Sequence, residues 1–120
     1  MKRILWLSRH KMSDVQLKDL ERIYGAVEVK QVDKTVSNVN EIVDAGADCN
    51  VLAVVLPPNL LSDLINPKNN TKPVIRAVAD RVETGDKVLN PTNGKLESQY
   101  KFVHKYWERV IKIEVITEKL

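Results

Sequence analysis

An α/β fold built on a mostly parallel sheet is predicted by three observations. Continuous apolar runs at Ile4 to Leu7 and Val51 to Leu56 read as strands buried on both faces. Amphipathic segments with helix-start and helix-stop chemistry lie between and after them. The resulting order, β-α-β-α-β-α as far as Pro67, is that of parallel strands joined by crossover helices. The 120 residues suit one domain, 1–120, with a single core.

The first strand is expected near 3–8. Behind it, Ser13 and Gln16 form an S-x-x-Q capping box, Asp14 suits the positive end of a helix dipole, and Met12 is placed to staple against Leu17. A helix over 13–24 follows, with Leu17, Leu20, Ile23 and Tyr24 as its apolar face and Gly25 as its stop. The segment 27–32 alternates as a second strand, with Val27, Val29 and Val32 on the apolar side. Ser37 is a cap for a helix over 38–45 that buries Val39, Ile42 and Val43 and closes at Gly46. The run 51–56 is the best central strand, and Pro57-Pro58 ends it because proline cannot donate to a ladder.

Asn59 is a cap for a helix over 59–66 carrying Leu60, Leu61, Leu64 and Ile65, stopped at Asn66-Pro67. A fourth strand is expected near 73–82. Residues 84–98 are rich in turn formers, with Asn93-Gly94 the clearest hairpin turn. Residues 101–118 then alternate as a strand, most cleanly over Val110 to Ile116, and suit an antiparallel addition at a sheet edge. The class is thus α/β, a Rossmann-like three-layer sandwich whose mostly parallel sheet ends in an antiparallel C-terminal strand.

Composition and missing motifs exclude several functions. No apolar run approaches the roughly 18 residues of a transmembrane helix. Ile4 to Leu7 is too short for a signal-peptide core, so a cytoplasmic protein is expected. The single cysteine, Cys49, fits a reducing compartment and reads as a passive buried residue, nothing nearby in sequence activating it. Gly25, Gly46, Gly85 and Gly94 build neither a G-x-G-x-x-G fingerprint nor a Walker A loop. The strand ends carry no carboxylate to accept a phosphoryl group. His10, His104 and Cys49 share no metal-ligand spacing, so neither a metal nor a cofactor is expected. Net charge is +3 with a pI near 9.0, which permits an anionic partner without demanding one.

In open parallel sheets, ligands bind outside the carboxyl ends of the strands. That rule gathers Ser8, Arg9, His10 and Lys11 after the first strand and Pro57, Pro58 and Asn59 after the third. The set holds donors and cations. A phosphate could use the Ser8 hydroxyl, the N–H groups at two helix starts, and Arg9 or Lys11. His10 is the loop's only group titrating near neutrality, suited to proton transfer or to orientation. Each residue also has a plain reading: Arg9 and Lys11 as a solvated turn, His10 as a helix-start neighbour, Asn59 as a cap. The expected site places Ser8, Arg9, His10 and Asn59 around one pocket with Lys11 at its rim.

A second cluster, "KFVHKYWERV", interleaves Lys101, His104, Lys105 and Arg109 with Tyr106 and Trp107. Basic and aromatic residues alternate in this way on single-stranded nucleic-acid surfaces. Strict alternation would put Phe102, His104 and Tyr106 on one face and Val103, Lys105 and Trp107 on the other, so one face reads as core or dimer interface. Binding of duplex DNA is not expected.

The stretch "LSRHKMSDVQL", a first strand ending in S-x-H ahead of a small-polar-x-Q helix start, resembles the small stand-alone CARF-type proteins of type III CRISPR systems. The apolar third strand ending at Leu56-Pro57 with a helix behind it, then "PVIRAV" and a C-terminal strand, is similar too. The resemblance follows the order of elements over most of the chain and the local pattern at 4–20 and 51–61. Residues 84–98 and Trp107-Glu108-Arg109 have no counterpart in it. It implies a Rossmann-like homodimer binding a cyclic oligoadenylate at its two-fold axis, with ring-nuclease cleavage in several members. Such cleavage needs no metal, because a ribose 2′-hydroxyl attacks the neighbouring phosphodiester once held in line. The resemblance adds to the strand-end rule at Ser8 and His10, the two expected catalytic residues. In the site so read, Ser8 and Arg9 contact phosphate, His10 transfers or orients a proton, Asn59 supplies an amide and Lys11 binds at the rim.

Self-association is expected through the C-terminal strand region, where Phe102, Tyr106 and Trp107 are an apolar surplus, or through the helices beside the third strand. The competing class is a non-catalytic Rossmann-like regulatory or protein–protein interaction module. A small phosphoester enzyme of another kind is a third.

Overall fold

A computed structural model describes residues 1–113 and 118–120. The elements are β1 (Lys2–Leu7), α1 (Asp14–Tyr24), β2 (Val27–Val32), α2 (Val39–Ala45), β3 (Val51–Val54), α3 (Pro58–Ile65), β4 (Val74–Leu89) and β5 (Leu96–Arg109). One sheet runs in the order β2-β1-β3-β4-β5. Its first four strands are parallel and β5 is antiparallel to β4. The α/β class with an antiparallel C-terminal strand is therefore observed, and β3 is central.

Strand parity divides the core between the two sheet faces. Leu5, Leu7, Leu52, Val54 and Val74 face Ile42 of α2 with Leu61 and Leu64 of α3. Ile4, Trp6, Val51, Ala53 and Ile75 face Leu20 of α1 and Trp107 of β5. Helices on both faces make the three layers. In β2, Val27 and Val29 join the α1 side while Val32 joins the other, because residues separated by an odd step point oppositely. The expected single apolar side of β2 is corrected accordingly.

Local signals explain most boundaries. Ser13 Oγ accepts the Gln16 N–H and Gln16 Oε1 accepts the Ser13 N–H, closing the capping box. On α1, Leu20 is buried and Tyr24 packs against the core, but Ile23 is exposed. Two expected caps are corrected. Asn38, not Ser37, caps α2 through its bond from the Glu41 N–H. α3 begins with Pro57 at the cap position and Pro58 in its first turn, so Asn59 lies inside the helix. The carbonyls at and just past the end of α2 are gathered by two lysines: Lys30 Nζ of β2 donates to Ala45, and Lys72 Nζ, from the α3–β4 connection, to Gly46 and Ala47.

The C-terminal third departs furthest from expectation. β4 continues through much of the turn-rich stretch and pairs with β5 out to Leu89–Leu96. The loop between them closes through Gly94, whose φ of 68° suits glycine. The strand expected over 101–118 lies instead at 96–109. Val110 keeps one bond to the Val74 carbonyl, residues 110–113 are outside any strand, and 114–117 lie outside the described residues. The pairing slips between Val78 and Ala79, so Lys105 bulges out of the ladder. His104 and Trp107 consequently share the α1 face, against strict alternation, with ring centroids 5.7 Å apart.

These two side chains tie the hairpin to α1. Trp107 Nε1 donates to the Gln16 carbonyl at 3.0 Å, and His104 Nε2 lies 2.9 Å from Asp19 Oδ2. The His104 bond, with that of Arg22, holds the Asp19 carboxyl below its ordinary 3.8 against the opposing effect of burial. A carboxylate with a depressed folded pKa stabilises the fold above its unfolded value and loses that contribution as pH falls through the folded one. The melting temperature of wild type should therefore exceed that of Asp19→Asn near neutrality, the gap closing well below pH 3.8. A gap independent of pH would show that the Asp19 charge does not contribute.

Candidate functional site

Chain direction opens a crevice at the carboxyl ends of β1 and β3. After β1 the chain passes to α1 on one face. After β3 it passes to α3 on the other. Neighbouring strands whose connections diverge in this way leave a gap at the topological switch point. The crevice there measures about 440 Å³. One wall is Leu7, Ser8, Arg9 and His10, and the opposite wall is Val55, Leu56, Pro57 and Leu60. The β2–α2 connection closes the third side with Lys34, Thr35 and Val36.

The Ser8–His10 loop is held from beneath by groups with little freedom. The Trp6 indole N–H, in the core, donates to the His10 carbonyl at 2.7 Å. Gln31 Nε2 on β2 donates to the carbonyls of Ser8 (3.0 Å) and His10 (3.1 Å). The Ser8 hydroxyl accepts the His10 N–H at 3.1 Å, leaving its own proton available to a ligand. Arg9 leans across the opening and donates to Thr35 Oγ1 at 2.9 Å. The loop backbone is thus fixed while the side chains of Arg9 and His10 remain exposed.

Arg9 and Lys34 bring two cations to the lining, and no carboxylate stands among its described residues. The α3 start adds to this. Its cap position makes no side-chain hydrogen bond, and Pro57 and Leu60 of that first turn stand in the wall. Uncapped N–H groups at a helix start favour an anion. The arrangement can receive a phosphate or phosphodiester, with apolar Leu7, Val36 and Leu56 available to a base or sugar.

The structure brings together Ser8, Arg9 and His10. Asn59 and Lys11 are exposed and stand outside the lining: helix geometry turns Asn59 away once Pro57 takes the cap, and the chain beyond His10 turns inward, where Met12 packs on the core. Lys34, Thr35, Gln31 and Trp6 belong to the site or its support but escaped sequence reasoning. One signal was present: an indole N–H in an otherwise apolar buried strand requires an acceptor. Cys49 is buried, and burial together with the neighbouring Asp48 carboxylate raises its thiol above the ordinary range, which suits a passive residue. Among the described residues, no group of three or more His, Cys, Asp or Glu side chains could hold a metal ion. No helix among them is long and apolar enough to cross a membrane.

Compared with protein-family models, curated proteins and solved structures, the chain matches none.

Proposed function

We propose that the β1/β3 crevice binds a cyclic oligoadenylate through one of its phosphodiesters, in a cytoplasmic homodimer that presents the crevice twice to a symmetric ring. The observation that carries this reading is the cationic crevice at the switch point, with no carboxylate among its described lining residues and with Arg9, Lys34, the Ser8 hydroxyl and the uncapped α3 start around it. Arg9 and Lys34 balance the phosphate charge, Ser8 donates to a phosphoryl oxygen, and the apolar wall takes the adenosine.

Cleavage is the second step of the reading. The ribose 2′-oxygen attacks the adjacent phosphorus, the bond from phosphorus to the 5′-oxygen breaks, and a 2′,3′-cyclic phosphate and a 5′-hydroxyl result. The proton leaving the 2′-hydroxyl and the proton reaching the 5′-oxygen balance, and His10 at the opening is placed to handle one of them. Ser8 acts as a donor: its hydroxyl oxygen accepts the His10 N–H, and among the described residues no general base is bonded to it.

A panel of cyclic tri-, tetra- and hexa-adenylates tests binding by thermal shift and calorimetry. One ring should stabilise the protein. Arg9→Ala should weaken its binding by roughly 1.5–3 kcal/mol, as for a lost charge-assisted hydrogen bond. His10→Ala should slow ring opening with binding nearly intact. No shift with any ring would refute the reading in favour of a non-catalytic interaction module, which the exposed apolar side chains of β4 and β5 also favour.

A further inference from the structure

The radius of gyration is 17.7 Å, against about 14 Å for a compact domain of this length. The excess is the β4–β5 ribbon. Beyond Ala79 and His104 its two strands pair only with each other, and the side chains on both faces are largely exposed. A two-stranded ribbon with neither face covered is marginal in water. This one is nevertheless 16 and 14 residues long and carries large apolar side chains.

Those side chains are not spread evenly. Along β5, Tyr100, Phe102 and His104 follow a two-residue step in regular pairing, so they share the face on which His104 meets α1, and a second slip between Glu83 and Lys87 separates this stretch from Leu96. Phe102 is 78% exposed and Tyr100 48%. Across the ladder, Arg81 stands opposite Phe102 and Glu83 opposite Tyr100, with the Arg81 guanidinium 3.8 Å from the Tyr100 ring centre. Two adjacent rows of the stripe therefore each pair one aromatic ring with one charge, and the two charges are opposite.

We propose that this face of the ribbon packs on the same face of a second copy, ribbon against ribbon about a two-fold axis. The axis passes between the Phe102/Arg81 and Tyr100/Glu83 rows. A two-fold there sets Arg81 of each copy against Glu83 of the other and Phe102 against Tyr100, so the patch is complementary to itself. Overall charge selects the same occupant. From Ala79 to Val103, Arg81, Lys87, Lys95 and Lys101 are matched by Asp80, Glu83, Asp86 and Glu97. A neutral ribbon approaches its copy without net repulsion, whereas a nucleic-acid arm needs a basic excess. The proposal shares with the ligand reading only that two copies meet. It needs no ligand.

Light scattering coupled to gel filtration, without ligand, should report a dimer for wild type at about 100 µM and a dissociation constant raised about 100-fold or more in Phe102→Asp. Phe102 touches solvent, so the variant should keep wild-type tryptophan fluorescence from the Trp6–Trp107 pair. Arg81→Glu should weaken the dimer and the double variant Arg81→Glu/Glu83→Arg should restore it. A wild-type monomer at that concentration overturns the proposal, as does a Phe102→Asp variant that dimerises normally, a double reversal that fails to rescue, or a ribbon that binds single-stranded RNA as a monomer. A dimer behaving as described but unshifted by every cyclic oligoadenylate would refute the ligand reading alone.

Discussion

Trp107→Ala should destabilise the fold by about 3–5 kcal/mol, the range for deleting a large buried aromatic side chain. Trp107 is 8% exposed and completes the α1-side core with Ile4, Trp6, Leu20 and Ile75. Its ring meets Trp6 edge-on with centroids 5.7 Å apart, and its N–H satisfies the Gln16 carbonyl at 3.0 Å. Truncation removes the packing, the aromatic pair and that bond together, at the point where the ribbon joins the body. Trp107→Phe separates the contributions, keeping a ring against Trp6 and losing the hydrogen bond, for a cost of roughly 1–3 kcal/mol. Urea unfolding followed by circular dichroism measures both. A Trp107→Ala loss below about 1 kcal/mol would mean that the ribbon is not anchored through this residue.

Leu52→Ala should cost about 2–5 kcal/mol, because Leu52 is fully buried on the central strand and its removal leaves a cavity. A second position couples to it. Gly46 ends α2 so close to the sheet that an added Cβ would overlap Leu52 Cδ2 and press on Leu5 Cδ2 at 3.3 Å. Its φ of −96° is open to any residue, so the demand for glycine is for space alone. Gly46→Ala should cost roughly 1–3 kcal/mol by overpacking. Combined with Leu52→Ala, it should cost less than the sum, since the cavity receives the new methyl group. Strict additivity in a double-mutant cycle would show that the α2 end moves away from the sheet instead.

The elements legible in the sequence are those whose signals are local. The Ser13–Gln16 capping box, the apolar run of β1, the Gly46 stop and Asn66-Pro67 act within a turn or two, and each lies where it was expected, whereas β3, expected over 51–56, ends at Val54, with Val55 exposed and Leu56 beyond the strand. The first wall of the crevice was legible for the same reason. Ser8, Arg9 and His10 follow directly on a recognisable strand, and the strand-end rule needs only the order of elements.

What the sequence by itself determined, then, is the α/β class, the three helices, the parallel strands and the Ser8–His10 loop. Tertiary structure alone decided the rest, wherever a residue's role depends on a partner far along the chain. Residue Lys34 enters the crevice because β2 lies beside β1, a consequence of sheet order. Asn59 leaves it because Pro57 takes the start of α3. The bulge at Lys105 arises from the register of β5 on β4, and it puts His104 beside Trp107 where alternation would part them. The turn-rich stretch after Thr84 extends because β5 supplies hydrogen-bond partners, which outweigh its weak intrinsic strand preference. Propensity and capping are set within a few residues. Register, edge and proximity are set by which strands meet, and that is decided only when the chain has folded.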